Sequence, residues 1–312
     1  MPEGWIERAQ PLLGTLVTIG VRGTDDARAH FALDAAFAAV ADVHRLMSFH
    51  EPASEVSRLN RDAARGAVRV DARTFEVLHL ALGIAAATDG AFDISLAPQL
   101  VAQGLLPAPD GAAAPDPRAS WRDIELIAPD AVAFHRALWI DLGGIAKGYA
   151  VDLAREALFG CGVERAIVSA GESSIAAFER PGDPRWSVGV RHPGSDTSIV
   201  GTLRISNTAL STSGSSARGF AIGGVRYAHV LDPRTGTPMT GERSATAVCA
   251  SAALAEVASK ILLLEGCERG IDIADANGWD VEGAAFVGDR SEAGVWIKRS
   301  GGLDLDVWRS CA

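Results

Sequence analysis

The stretch Leu138-Trp139-Ile140-Asp141-Leu142-Gly143-Gly144-Ile145-Ala146-Lys147-Gly148-Tyr149-Ala150-Val151-Asp152 reads as an apolar strand, a glycine turn and the start of a helix. Two adjacent glycines let the backbone approach a ligand without Cβ clashes. A helix opened by such a turn offers N–H groups without intrahelical partners and a positive dipole end, which suit a phosphate or another anion. Lys147 falls in the first turns of that helix, where its charge opposes the dipole, and this placement points to a compensating anion nearby. The segment is neither a G-x-G-x-x-G fingerprint nor a G-x-x-x-x-G-K-[ST] phosphate loop. The plainer reading is a tight strand–helix connection with a solvated lysine, and on these residues alone both stay open.

Working outward toward the N-terminus, residues 12–22 read as a strand rich in branched side chains. Asp25 and Asp26 precede an alanine-rich helical pattern to about Leu46, and a second helix over 73–88 stops at Asp89-Gly90. Residues 101–120, rich in Ala, Pro, Gly and Asp, read as a surface excursion, followed by strands near 123–128 and 131–134. Toward the C-terminus, short strands are expected at 165–169, 186–190, 200–205, 227–231 and 244–250. A helix over 252–264 and closing strands around Phe286 and Val295 complete the pattern. Strand runs mixed with long helices predict an α+β fold, a single domain over 1–312 in which mixed sheets pack against helices.

Two further clusters carry polar chemistry. Ser211-Thr212-Ser213-Gly214-Ser215-Ser216, with Arg218 after it, reads as a loop whose donors and guanidinium suit phosphate oxygens, although a plain serine-rich loop fits as well. In His229-Val230-Leu231-Asp232-Pro233-Arg234-Thr235-Gly236, a strand delivers His229 into a turn. Histidine is the side chain best suited to move a proton near neutral pH, and Asp232 suits the turn's N–H groups.

The 312 residues are 48% hydrophobic and 22% charged, enough to build a core without disulfides or structural metal. A formal net charge of −10 argues against nucleic acid or anionic membranes as partners. Cys161, Cys249, Cys267 and Cys311 form no C-x-x-C pair. With no basic and apolar leader pattern at Met1-Pro2-Glu3-Gly4 and no spanning apolar run, a cytoplasmic location is expected.

Taken in order, these segments resemble the FAD:protein FMN transferase (ApbE) family. The resemblance runs through Leu13-Gly14-Thr15, Met47-Ser48, Ser54-Glu55 with Asn60, and Gly90-Ala91-Phe92-Asp93 to Pro98. It continues through the Asp141–Asp152 block, Thr212-Ser213-Gly214 and His229–Gly236. It implies a T-fold-like domain that binds FAD and, with magnesium, transfers FMN to a threonine or serine hydroxyl of a target protein, releasing AMP. By motif, Leu13, His50, Ala91, Phe92, Asp93, Asp141, Lys147, Thr212, Ser213, Gly214 and His229 would face the flavin nucleotide. His229 would assist proton removal, with Asp232 in the turn beside it, and the Gly144 carbonyl and Glu256 would hold the metal.

Three departures qualify what the resemblance implies. Where the family's last motif has Asp and Thr on magnesium, this chain has Glu256 and Lys260, four apart and on one helix face. An ammonium there pairs with the carboxylate and repels a divalent ion, which predicts Lys260 in the metal's place and weakened transferase activity. A lysine that snorkels to solvent beside an ordinary metal is the other reading. Phe49-His50 replaces a flavin-contacting tyrosine, and Gly171-Glu172-Ser173-Ser174 stands where many members have Gly-Gly-Asp. Besides transfer, a non-catalytic FAD carrier, sensor or partner subunit and an FAD pyrophosphate hydrolase stay open.

Overall fold

The first strand reading divides in two. β1 (Ile6–Leu12) and β2 (Thr15–Arg22) form an antiparallel hairpin in register Leu12↔Thr15, so residues 12–22 are a turn and one strand rather than a single strand. Leu13 and Gly14 make the turn with φ of 56° and 67°, the left-handed pair that a two-residue hairpin demands. The structure is a computed structural model. It describes residues 4–195, 197–214, 220–222, 225–241, 243–287, 295–298 and 304–307.

After the hairpin come α1 (Asp26–Met47), α2 (Glu55–Asp62), the short β3 (Val68–Arg69), α3 (Ala72–Ala87) and α4 (Ala97–Ala102). β4 (Ile124–Ile127) and β5 (Ala131–Phe134) precede α5 (Ala146–Gly160). A run of strands follows: β6 (Arg165–Ala170), β7 (Ser174–Phe178), β8 (Trp186–Arg191), β9 (Ile199–Ile205) and β10 (Thr208–Gly214). β11 (Phe220–Ile222), β12 (Val225–Asp232), β13 (Thr237–Thr240) and β14 (Ser244–Cys249) lead to α6 (Ala252–Glu265) and α7 (Cys267–Ala276). β15 (Gly283–Val287), β16 (Val295–Lys298) and β17 (Asp304–Val307) close the order. The mixture is α+β, as expected. Among the described residues no helix is long and apolar enough to cross a membrane.

The chain falls into two compact units, one of residues 1–40, 147–230 and 238–312, the other of residues 41–146 and 231–237. In the first, eight strands form one sheet in the order β1-β2-β6-β7-β10-β14-β15-β16. Alternation along β10 explains what covers each face. Leu210 points into an apolar cluster with Ile175, Val190, Leu203, Ile205 and Val248, where the three-stranded sheet β17-β9-β8 packs. Ala209, Ser211 and Ser213 point the other way, beside Ala245 and Ala247 of β14. This small-residue face admits α6, whose Ala252, Ala255, Ala258 and Ile261 are fully or almost fully buried.

The expectation of a serine-rich loop from Ser211 is therefore corrected. Ser211, Thr212, Ser213 and Gly214 lie in a central strand, because small side chains are what a closely packed helix requires on that face. Ser215, Ser216 and Arg218 lie outside the described residues.

In the second unit, α2 and α3 accompany the small sheet β3-β5-β4. Buried Ser54 caps α2 by accepting from the Ser57 N–H, and its hydroxyl donates to the Ser48 carbonyl at 2.6 Å. Glu55 accepts the Asp71 N–H on both carboxylate oxygens, and Asp71 in turn caps α3. The Asp89-Gly90 stop is real, with φ of 47° and 80°.

Residues 138–142 belong to no strand, which corrects the strand reading there. Their hydrogen bonds go elsewhere. Buried Asn60 donates to the Ile140 carbonyl at 3.0 Å and accepts its N–H at 2.8 Å, and the Asp141 N–H donates to the Ile94 carbonyl. One side-chain amide thus does for Ile140 what a neighbouring strand would do.

Candidate functional site

α5 begins directly after the glycine turn, and its first turn carries Lys147 and Gly148. The anion that Lys147 calls for on dipole grounds is a carboxylate of the chain itself. Lys147 Nζ lies 2.5 Å from Glu256 Oε1 on α6, and the Gly148 N–H donates to Glu256 Oε2 at 2.7 Å. Lys260, one turn further along α6, places its Nζ 3.4 Å from the same Oε1 and 3.2 Å from the Glu256 carbonyl oxygen.

Glu256 is 1% exposed, while the Lys147 and Lys260 side chains are 22% and 19% exposed. The carboxylate is enclosed, while both lysine side chains stay partly exposed. Burial pushes the Glu256 carboxyl up, but the charges of Lys147 and then Lys260, with the hydrogen bonds from Lys147 and Gly148, more than offset this. They hold it at about 2.

Further contacts fix α6 and the residues just before it against α5 and β10. Asp152 accepts from the Ser251 hydroxyl at 2.7 Å and from the Ala252 and Ala253 N–H groups at 2.8 and 3.0 Å, satisfying the start of α6. Arg155 donates to the Ala250 carbonyl at 2.8 Å. Ser213 and Ser259 share a hydrogen bond of 2.7 Å, and the Ser259 hydroxyl donates to the Glu256 carbonyl at 2.9 Å. Thr212 pairs with Thr246 across the strands at 2.8 Å. Gly148 has no room for a side chain, since a Cβ there would meet the Ala252 main chain well inside contact distance.

The structure thus brings Lys147, Glu256 and Lys260 together, with Ser213 joined through Ser259. Gly148, Asp152, Ser251 and Ser259 complete the arrangement without having been singled out from sequence. Gly148 was legible as a glycine inside a helical run, which signals close packing. The expectation of freely available N–H groups at the start of α5 is corrected for Gly148, whose amide is taken by Glu256.

Leu13 occupies the β1–β2 turn, and Gly214 ends β10 against Arg243 and Ser244. His229 lies on β12, and its side chain is outside what the structure describes.

The remaining expected residues belong to the second unit. Phe92 is buried, its N–H donating to the Thr88 hydroxyl at 3.2 Å. Asp93 accepts both the N–H and the hydroxyl of Ser95 at 2.7 Å, and burial pushes its carboxyl up against the pull of those bonds. Ala91 sits in the adjoining turn, partly exposed. Phe49 is buried and His50 exposed, so the imidazole is the accessible ring of that pair. Asp141 accepts the Gly143 N–H at 3.1 Å, and Gly144 follows in the turn. Asp232 binds the Arg234 guanidinium through both oxygens, and this side-chain contact holds its carboxyl below the usual range.

The expected magnesium site does not fit these residues. Magnesium takes oxygen ligands in near-octahedral geometry, whereas both Glu256 oxygens already accept N–H donors and two ammoniums flank them. Among the described residues no group of three or more His, Cys, Asp or Glu side chains is placed to hold a metal ion.

Comparison with known proteins adds a family. The ApbE family model matches residues 13–283. A FAD:protein FMN transferase of Treponema pallidum is 31% identical over 258 residues, 74% of this chain and 70% of that protein. One of Vibrio cholerae is 29% identical over 247 residues, 76% of this chain and 74% of that protein. The crystal structure of the ApbE protein of Thermotoga maritima superposes with a TM-score of 0.81 at 27% identity, covering 95% of this chain and 97% of that one.

Proposed function

The chain belongs to the ApbE family, and from that membership we infer that it is an FAD:protein FMN transferase, moving the FMN half of FAD to an acceptor protein. The observation that carries this reading onto the chain's own residues is the pair of ammoniums, Lys147 and Lys260, fixed by one buried carboxylate at the start of a helix that follows a glycine turn. A diphosphate is the part of FAD that such a cluster suits.

In the reaction, the oxygen of a threonine or serine hydroxyl on the acceptor attacks the FMN phosphorus. The bond between that phosphorus and the bridging oxygen breaks, AMP departs, and the hydroxyl proton passes to a base. We assign the base to His229, since histidine is the side chain type best suited to move a proton near neutral pH. Lys147 and Lys260 would offset the charge gathering on the bridging and AMP oxygens, with little further chemistry demanded of the protein. Thr212, Ser213, Gly214 and Leu13 would line the nucleotide. For the second unit by itself, the family resemblance assigns flavin and adenosine contacts to Phe92, Asp93, Ala91, Asp141 and His50, and a place in a binding wall to the Asp232 turn.

Incubation with FAD and an acceptor protein bearing the target hydroxyl, in magnesium and in EDTA, tests this. A fluorescent protein band with equal release of AMP is expected. FMN and AMP without labelling would replace transfer by hydrolysis, and FAD recovered intact would replace it by binding alone.

A further inference from the structure

We propose that Lys260 is the fixed cation of the diphosphate site, so that this chain binds FAD without a divalent metal. The inference deepens the flavin-transfer reading and rests on it. Three observations lead to it.

The carboxylate that a metal would need is already used. Oε2 of Glu256 receives the Gly148 N–H, and Oε1 receives Lys147 and, at longer range, Lys260. A magnesium ion on Oε1 would have to displace two ammoniums from a carboxylate that is 1% exposed, leaving like charges crowded at one point.

The direction of the charges also matters. The anion is enclosed while both lysine side chains stay partly exposed, and two positive charges against one negative leave the trio with a net positive charge. A lysine is a compact point charge, the form of cation that suits a phosphate oxygen in the absence of a metal.

The lysine is held in advance. Lys260 is tied to the Glu256 carboxylate and carbonyl on a helix that is buried nearly all round. That helix turn is itself pinned by the Ser213–Ser259 bond and by the Ser259 hydroxyl on the Glu256 carbonyl. A positioned cation needs no reorganisation when the ligand arrives. Glu256 becomes a positioning residue for two ammoniums rather than a metal ligand.

Isothermal titration of the purified protein with FAD, in EDTA and in magnesium chloride, decides the matter. The expected dissociation constants agree within about threefold between the two buffers. Lys260→Met should weaken FAD binding ~10- to 100-fold in both buffers, the worth of one charge-assisted contact, and Lys260→Arg should restore most of it. Thermal unfolding of each variant separates loss of the cation from loss of the fold. Binding that weakens tenfold or more in EDTA overturns the proposal and leaves the flavin reading standing. Failure to bind FAD in either buffer overturns the flavin reading itself.

Discussion

The main-chain amide of Gly148 donates to the side chain of Glu256 across 108 residues of sequence, at 2.7 Å. That bond makes an N–H of the α5 first turn, which has no helical partner, into a ligand for the one buried carboxylate of α6. The Glu256 contacts therefore hold two helices together as well as two lysines.

Replacing Glu256 by Gln should lower stability by about 2–4 kcal/mol, because two ammoniums lose the charge that balances them in a partly buried place. The pH dependence follows in sign. The folded carboxyl is held at about 2 against an ordinary 4.5, so its contribution is complete above about 4.5 and drains away as pH falls toward about 2. Urea unfolding across that window should show a flatter acid limb for Glu256→Gln than for the parent. Parallel limbs would mean that the lysines do not hold this carboxyl down.

Gly148→Ala sets two effects against each other. Inside a helix, alanine is favoured over glycine by roughly 1 kcal/mol. Here the added methyl would press on the Ala252 main chain, and backbone cannot yield as a side-chain tip can. Overpacking of that kind costs about 1–3 kcal/mol or more, so a net loss is expected, read as a lower melting temperature. A stabilised variant would show that α5 and α6 are further apart than described.

Asn60→Ala should destabilise the second unit by about 2–5 kcal/mol, since it strands both the N–H and the carbonyl of buried Ile140. Asn60→Asp sets a buried carboxylate against the Ile140 carbonyl, so at neutral pH a loss at least as large as for Ala is expected, shrinking in acid as the carboxyl gains a proton it can donate. A loss for Asp that does not change with pH would argue that the amide packs rather than pairs.

Much of the fold was legible. α1, α3 and α6 fall within a residue or two of their expected limits, because alanine-rich helical periods, Asp caps and the Asp89-Gly90 stop are local signals. The misreadings share one cause, a tertiary partner that local pattern cannot show. Leu13-Gly14 lacks the Asn-Gly or Asp-Gly signature of a tight hairpin, and only the pairing of β1 with β2 forces Leu13 into left-handed backbone. Ser211–Ser213 has turn-forming composition, yet the face opposite α6 wants small side chains and the sheet overrides the propensity. Residues 138–142 have strand composition, but an asparagine side chain takes the place of a neighbouring strand.

The site was legible in half. Lys147 against the helix dipole called for an anion, and the spacing of Glu256 and Lys260 placed both on one face. That one carboxylate serves all three demands depended on α5 and α6 meeting, which no local pattern encodes.

The clasp between Asp152 and the head of α6 has a temporal side. Its three bonds, like those from Lys147 and Gly148 to Glu256, join residues about a hundred apart, so each closes a long loop that the growing chain must first produce. On the ribosome the glycine turn and Lys147 emerge well before the carboxylate that orients them. Until α6 emerges and docks, Lys147 and the Gly148 amide lack the carboxylate that they contact in the folded chain. On the role proposed for Lys147 and Lys260, competence to take up flavin arrives late in synthesis, in one step with the closing of that helix pair.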